Sequence, residues 1–157
     1  MQKITPFLWF DNQAEEAVKF YTSIFKNSKI GKVSRYGDAG PRPKDSVMVM
    51  EFQLDGQDFS ALNGGPVFNF TEAISFCVDC ATQKEVDYFW EKLSQGGEKG
   101  QCGWLKDKYG VSWQIVPTIL GQLMSDPDAV KAERVTRAML KMMKLEIAEL
   151  QRAYKGS

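Results

Sequence analysis

Phe10-Asp11-(x6)-Val18-Lys19-Phe20-Tyr21-(x3)-Phe25 occurs twice in this chain, the second time as Val78-Asp79-(x6)-Val86-Asp87-Tyr88-Phe89-(x3)-Leu93. Asp falls on Asp, Val on Val and an aromatic pair on an aromatic pair, at a constant offset of 68 positions. A second pair of segments, Gly56-Gln57-Asp58-Phe59-Ser60-Ala61-Leu62 and Gly110-Val111-Ser112-Trp113-Gln114-Ile115-Val116, aligns at an offset of 54. Two copies of a unit of roughly fifty residues predict two like modules about a pseudo-twofold, with a cleft shared between them.

Local patterning gives each copy the same order of elements. Ile4 to Phe10 is a short apolar, aromatic-rich run that reads as a strand. Asp11-Asn12 closes it and is expected to help cap a helix from about Ala14 to Phe25, whose Ala14, Ala17, Val18, Tyr21 and Phe25 share one face. Ser28 to Tyr36 reads as a strand, and Gly37 to Asp45, with two Gly and two Pro, as a loop. Val47 to Leu54 and Phe59 to Leu62 are strands joined by the hairpin signal Asp55-Gly56. The second copy repeats this with a strand at about Ile74 to Asp79, a helix at Gln83 to Leu93, a brief inner strand, a strand near Cys102 to Lys106 and a last strand at Ser112 to Val116. Each unit is therefore β-α-β-β-β. Beyond Thr118 the repeat stops. Ser125-Asp126-Pro127-Asp128 is a helix start, and Ile147 to Tyr154 a further helix. The fold expected is α+β, with two βαβββ modules (1–66 and 67–117) forming a curved eight-stranded cup and a C-terminal helical arm (118–157).

Composition narrows the chemistry. The chain has 157 residues, with Lys+Arg and Asp+Glu both 20 and a formal net charge of zero. Without a polybasic run, nucleic acid and anionic membrane are not expected partners. The apolar run Ile4 to Phe10 is too short for a signal-peptide core or a membrane span, so the expected location is cytoplasmic. Zero net charge gives little protection against self-association, which favours a homodimer. The three cysteines, Cys77, Cys80 and Cys102, read as free thiols. Cys77-Val78-Asp79-Cys80 has C-x-x-C spacing, but Cys77 lies inside a strand and Cys80 past its end, so no metal or redox pair is expected. There is no histidine, which removes imidazole general bases, Ser-His and Cys-His pairs and His-ligated metals.

Paired βαβββ modules resemble the vicinal oxygen chelate superfamily, which includes glyoxalase I, bleomycin-resistance proteins and extradiol dioxygenases. Ile4-Thr5-Pro6-Phe7-Leu8-Trp9-Phe10-Asp11, with Glu15-Glu16-Ala17 and Phe20-Tyr21 behind it, is similar to the PhnB-like branch, often labelled 3-demethylubiquinone 3-methyltransferase. Asp107-Lys108-Tyr109-Gly110-Val111-Ser112-Trp113 resembles the superfamily's closing D-x-x-G-x-x-W hairpin. In metal-dependent members the resemblance implies four His or Glu ligands, from the first and last strands of each module. Their positions fall here at or near Pro6, Ser60, Ile74 and Gln114. Pro and Ile cannot ligate, and Ser and Gln are poor ligands. No metal and no cofactor are therefore expected.

Strand parity then names the lining of the cleft. Positions 6, 8 and 10 share a face, as do 60 and 62, then 74, 76 and 78, and 112, 114 and 116. With the ligand positions turned to the cleft, Leu8, Phe10, Ser60, Leu62, Phe76, Gln114 and Val116 line it, while Trp9, Phe59, Cys77 and Trp113 pack under the helices. Such a cleft suits a small, largely apolar ligand held by Ser60 and Gln114, with the loop Gly37 to Asp45 as a lid. Glu51 is the one carboxylate of an apolar strand, a general base if it faces the cleft and a solvent-facing residue otherwise. Arg35 and Tyr36 either clamp an anion or end a surface strand. The cluster Met139-Leu140-(x)-Met142-Met143 is adaptable apolar surface, expected to pack on its own domain or on a twin subunit rather than to bind a separate target. The leading expectation is a metal-free small-molecule binding protein or cofactorless enzyme. The alternatives are a metal-dependent glyoxalase- or dioxygenase-like enzyme and a dimeric interaction module. A methyltransferase would need a glycine-rich turn opening a helix, and Gly37-Asp38-Ala39-Gly40 runs into Pro41-Arg42-Pro43.

Overall fold

Period-two apolar runs broken by glycine turns build the two sheets. The computed structural model describes residues 2–157. In chain order its elements are β1 (Phe7–Phe10), α1 (Ala14–Ile24), β2 (Lys29–Arg35), β3 (Val47–Leu54), β4 (Gln57–Asn63), β5 (Ser75–Cys80), α2 (Gln83–Ser94), β6 (Glu98–Lys99), β7 (Trp104–Lys106), β8 (Ser112–Pro117), α3 (Thr118–Met124), α4 (Ala129–Leu140) and α5 (Ile147–Lys155). The strands form two four-stranded mixed sheets, ordered β1-β4-β3-β2 and β5-β8-β7-β6. The architecture is α+β, two βαβββ units with three further helices. The units divide between Phe70 and Thr71.

In the first unit Asp55 and Gly56 both take positive φ (49° and 78°), the turn that lets Leu54 pair directly with Gln57. That turn fixes the β3–β4 register and sets Met50, Phe52 and Leu54 on the face covered by α1. Phe52 stacks between Tyr21 of α1 and Phe59 of β4, and Ala14, Ala17, Val18 and Tyr21 are fully buried. Asp11-Asn12 does not cap α1. The Ala14 N–H instead donates to Asn63 Oδ1 at 2.8 Å, 49 residues along the chain. Asn63 Nδ2 donates to Val47 O, and the Asn63 carbonyl accepts from the Tyr36 hydroxyl. The Asn63 side-chain amide thus joins the helix start to β3, and its main-chain carbonyl adds Tyr36, just past β2. The strap after β4 folds round the edge strand β1, with Phe68 edge-on to Trp9 and Phe70 edge-on to Phe10, so it stays with the first unit.

The second unit is built on a shorter frame. Thr82 caps α2 by accepting from Glu85 N–H, and Glu85 reaches back to Ala81 N–H. The Asp107 carboxylate, 3% exposed, closes the β7–β8 loop. Its Oδ1 accepts from Tyr109 and Val111 N–H and its Oδ2 from the Trp113 indole at 2.9 Å. That is the physical content of the D-x-x-G-x-x-W pattern, with Gly110 in a left-handed conformation (φ 90°).

The C-terminal helices belong to this unit. Asp128 caps α4 through Val130 and Lys131 N–H. Leu120, Val135, Met142, Leu145 and Leu150 form a core of their own, against which Val116 and Met139 pack. Arg134 donates to the last carbonyls of α5, those of Ala153 and Tyr154. The arm is tied to the βαβββ frame by Cys102 N–H to Met142 O, by Gly103 N–H to Met143 O, and by Gln83, whose amide donates to Leu145 O and accepts from Ile147 N–H. The Lys144 ammonium lies 2.7 Å from Asp87 and holds that carboxyl below its usual range. No helix among the described residues is long and apolar enough to cross a membrane.

Candidate functional site

Each sheet has one face packed by its helix and one face without. Hydrogen-bonded partners point the same way, so register decides which residues share the helix-free face. In the first sheet three transverse rows lie on it. Lys29, Gln53 and Asp58 form the first row. Glu51, Ser60 and Phe7 form the second. Ser34, Val49, Leu62 and Trp9 form the third. Polarity falls along the face, from charged to amphipathic to apolar.

The middle row carries the chemistry. Glu51 lies directly opposite Ser60 across β3 and β4. Neither the exposed Glu51 carboxylate nor the Ser60 hydroxyl makes a hydrogen bond or ion pair with the described residues, although Ser60 is only 8% exposed. Beside Glu51 the bulged strand β2 carries Gly31. A Cβ there would sit 3.4 Å from Glu51 Cβ and 3.3 Å from its carbonyl oxygen, so glycine eases the close approach of β2 to the Glu51 main chain. These residues line an open depression of about 530 Å³, with Thr5, Phe7, Lys29, Gln53 and Asp58 around them. Gln53 Nε2 donates to Asp58 Oδ1 at 2.6 Å. Trp9 is fixed at the apolar end. Its indole N–H donates to Gly65 O, and a Cβ on Gly64 would come within 2.4 Å of the ring.

The structure separates the expected lining into two groups. Ser60 and Leu62 lie on the helix-free face with Glu51. Leu8 and Phe10 do not: they pair with Ala61 and Asn63 and are buried at 7% and 2% exposure in the core with α1. Trp9, expected under the helix, takes the helix-free face in their place. The second sheet shows the same one-residue change. Gln114 pairs with Cys77, and Phe76 pairs with Trp113 on the side of α2. Gln114 Nε2 donates to Ser75 Oγ at 2.9 Å, on the helix-free face. Val116 shares that face with Asp79 but packs against the core of the arm. Ser112, 1% exposed, has the one buried side-chain polar atom without a hydrogen bond among the described residues. It lies beside a small recess of about 120 Å³ with Trp104 and Lys106, where Glu72 at 2.6 Å and Glu98 at 3.7 Å neutralise Lys106.

Arg35 and Tyr36 are used within their own unit. Arg35 donates to Asp45 O and Tyr36 to Asn63 O, which ties the base of the loop Gly37 to Asp45. Cys77 and Cys80 lie on opposite faces of β5. Burial pushes both thiols up, Cys80 to about 12 with Glu85, Asp79 and Cys77 adding to it, so neither is a ready thiolate. At the positions expected for ligands stand the Pro6 pyrrolidine, the Ser60 hydroxyl, the Ile74 alkyl group and the Gln114 amide, which donates to Ser75, and the register turns Phe7 and Ser75 to the helix-free faces in place of Pro6 and Ile74. That donor set does not fit a divalent metal. Among the described residues no three His, Cys, Asp or Glu side chains gather where they could hold one.

A family model described as 3-demethylubiquinone-9 3-methyltransferase matches residues 2–116. Among solved structures the chain is similar to the PhnB protein from Bacillus cereus, at 42% identity and a TM-score of 0.68, over 74% of this chain and 99% of that one. It is similar in fold to protein PA1353 from Pseudomonas aeruginosa, at 20% identity and a TM-score of 0.62, over 74% and 98% of the two chains. The fosfomycin resistance protein FosX from Listeria monocytogenes matches at 15% identity and a TM-score of 0.57, over 77% and 94%. No match was found among curated proteins.

Proposed function

The chain belongs to the 3-demethylubiquinone-9 3-methyltransferase (PhnB-like) family of the vicinal oxygen chelate fold, and from that premise we propose that it is a metal-free small-molecule binding protein or cofactorless enzyme. The site proposed is the helix-free face of the first sheet, and the ligand is small and largely apolar. One observation carries the reading: Glu51 and Ser60, opposed across β3 and β4, keep their hydrogen-bonding capacity unspent in a depression of about 530 Å³. Phe7, Leu62 and Trp9 supply the apolar contacts. Ser60 holds a carbonyl or hydroxyl, and Glu51 accepts a proton or a hydrogen bond. On the helix-free face of the second sheet the Gln114 amide carbonyl is an acceptor of the same kind.

Methyl transfer is not favoured by the local structure. The strands in parallel pairs, β1 and β5, lead to their helices through Asp11-Asn12-Gln13 and Ala81-Thr82, without the glycine-rich turn that cradles a nucleotide-type donor. The metal-dependent reading is disfavoured by the donor set.

A thermal-shift screen for a ligand, followed by calorimetry on variants, tests the site. Ser60→Ala and Glu51→Gln are each expected to weaken binding by about 1–3 kcal/mol, the loss of one hydrogen bond at a partly desolvated site. Unchanged affinity in both variants means that the ligand binds elsewhere. We also propose a homodimer. In the first unit Ile4, Phe7, Val67 and Phe68 are between 58% and 87% exposed, and the formal net charge is zero. Light scattering at micromolar concentration is expected to give twice the chain mass, and a monomer mass sinks the assignment.

A further inference from the structure

We infer that the depression on the first sheet selects its ligand by charge, taking a head group that donates hydrogen bonds and is neutral or cationic, and rejecting anions. The inference rests on the proposed site and adds the chemistry of what enters it.

The lining carries two carboxylates, Glu51 and Asp58, against one ammonium, Lys29, and no arginine. Its free hydrogen-bonding atoms are mostly acceptors. Glu51 offers both carboxylate oxygens. Gln53 spends an N–H on Asp58 Oδ1, which leaves its carbonyl and Asp58 Oδ2 as acceptors. The donors are the hydroxyls of Ser60 and Thr5 and the exposed Lys29 at the end of β2. An anionic head group would meet the exposed Glu51 carboxylate. A hydroxyl or ammonium placed between Glu51 and Ser60 would instead donate to the carboxylate and pair with the Ser60 hydroxyl, which has no partner among the described residues. A charged hydrogen bond of that kind is the strongest contact the face can offer. The fall in polarity towards Val49, Leu62 and Trp9 sets the orientation. The donor head lies at the Glu51 row and the apolar body runs towards Trp9.

The test uses three probes that share one ring: benzylamine, benzyl alcohol and benzoate. Each is titrated into the full-length chain at low ionic strength and neutral pH, with binding read from chemical-shift changes of the β3 and β4 amides. Benzylamine and benzyl alcohol are expected to shift these amides, with benzoate at least about tenfold weaker than the amine, as like charges facing each other require. Glu51→Gln is expected to weaken benzylamine about tenfold and to close the gap to benzoate. Glu51 has no partner among the described residues, so the variant keeps the fold, which circular dichroism checks. Benzoate binding as tightly as benzylamine, or an order of affinities unchanged in Glu51→Gln, overturns the charge selection and leaves the site standing. If none of the three probes shifts the β3 and β4 amides, the site itself is overturned.

Discussion

Asp107→Ala is expected to destabilise the protein by about 3–5 kcal/mol. The substitution leaves the Val111 N–H and the Trp113 indole N–H buried without an acceptor, at ~1–3 kcal/mol each, and frees the Tyr109 N–H that shapes the turn. For a chain of this length that is a fall of roughly 10 °C in Tm, to be read by calorimetry and by urea denaturation. Asp107→Asn separates the parts. Its Oδ1 still serves the loop, but its NH2 group faces the indole N–H, donor against donor, so an intermediate loss is expected. Trp113→Phe removes that opposition. The double variant should therefore lose less than the two single variants added together. If Asp107→Ala stays within about 1 kcal/mol of the parent, the carboxylate is not the clasp of the hairpin.

Asn63→Ala is the second large effect, with an expected loss of about 2–4 kcal/mol from two buried bonds and the helix cap they include. Asn63→Asp tells the two bonds apart. A carboxylate still accepts from Ala14 N–H and suits the positive end of α1, but it turns an acceptor towards Val47 O. Fluorescence-detected denaturation should rank parent, Asn63→Asp and Asn63→Ala in falling order if the cap matters more than the tie to β3. A reversed order of the two variants assigns the larger share to Val47.

What could be read from the sequence depended on whether a turn fixed the register. The two-residue Asp55-Gly56 turn sets β3 against β4 without freedom, so Glu51 opposite Ser60 follows from counting back along the hairpin. β1 and β5 pair in parallel with strands some fifty and forty residues away, with no turn to fix them. A shift of one residue there turns every side chain over. Leu8, Phe10 and Phe76, which lie on the helix side of their sheets, come from these two strands, whereas Ser60, Leu62 and Gln114 come from hairpin strands. The same distance hid the cap of α1. Asp11 and Asn12 are the residue types that cap helices, but Asn63 reaches the site through the sheet. Locally encoded features were legible: the repeat, the hairpin, the brevity of β6, and a helix start within Ser125–Asp128, although the cap is Asp128, after Pro127 and not before it.

The arm is tethered through peptide groups. Met142, Met143 and Leu145 contribute carbonyl oxygens and Ile147 an N–H, so these four contacts read the path of the chain, while Lys144 adds a side-chain ion pair to Asp87. Substitution of the exposed Met143 leaves the peptide contacts intact, whereas Met142 and Leu145 are buried, Lys144 pairs with Asp87, and proline at 147 has no N–H to give. Specificity resides in the receptor, in Gln83 and in the left-handed pair Cys102 and Gly103 (φ 57° and 81°) that presents the two N–H groups. In the connection between α4 and α5, position 143 is thus a place where a foreign side chain can be written into the chain while the docking that holds it stays the same.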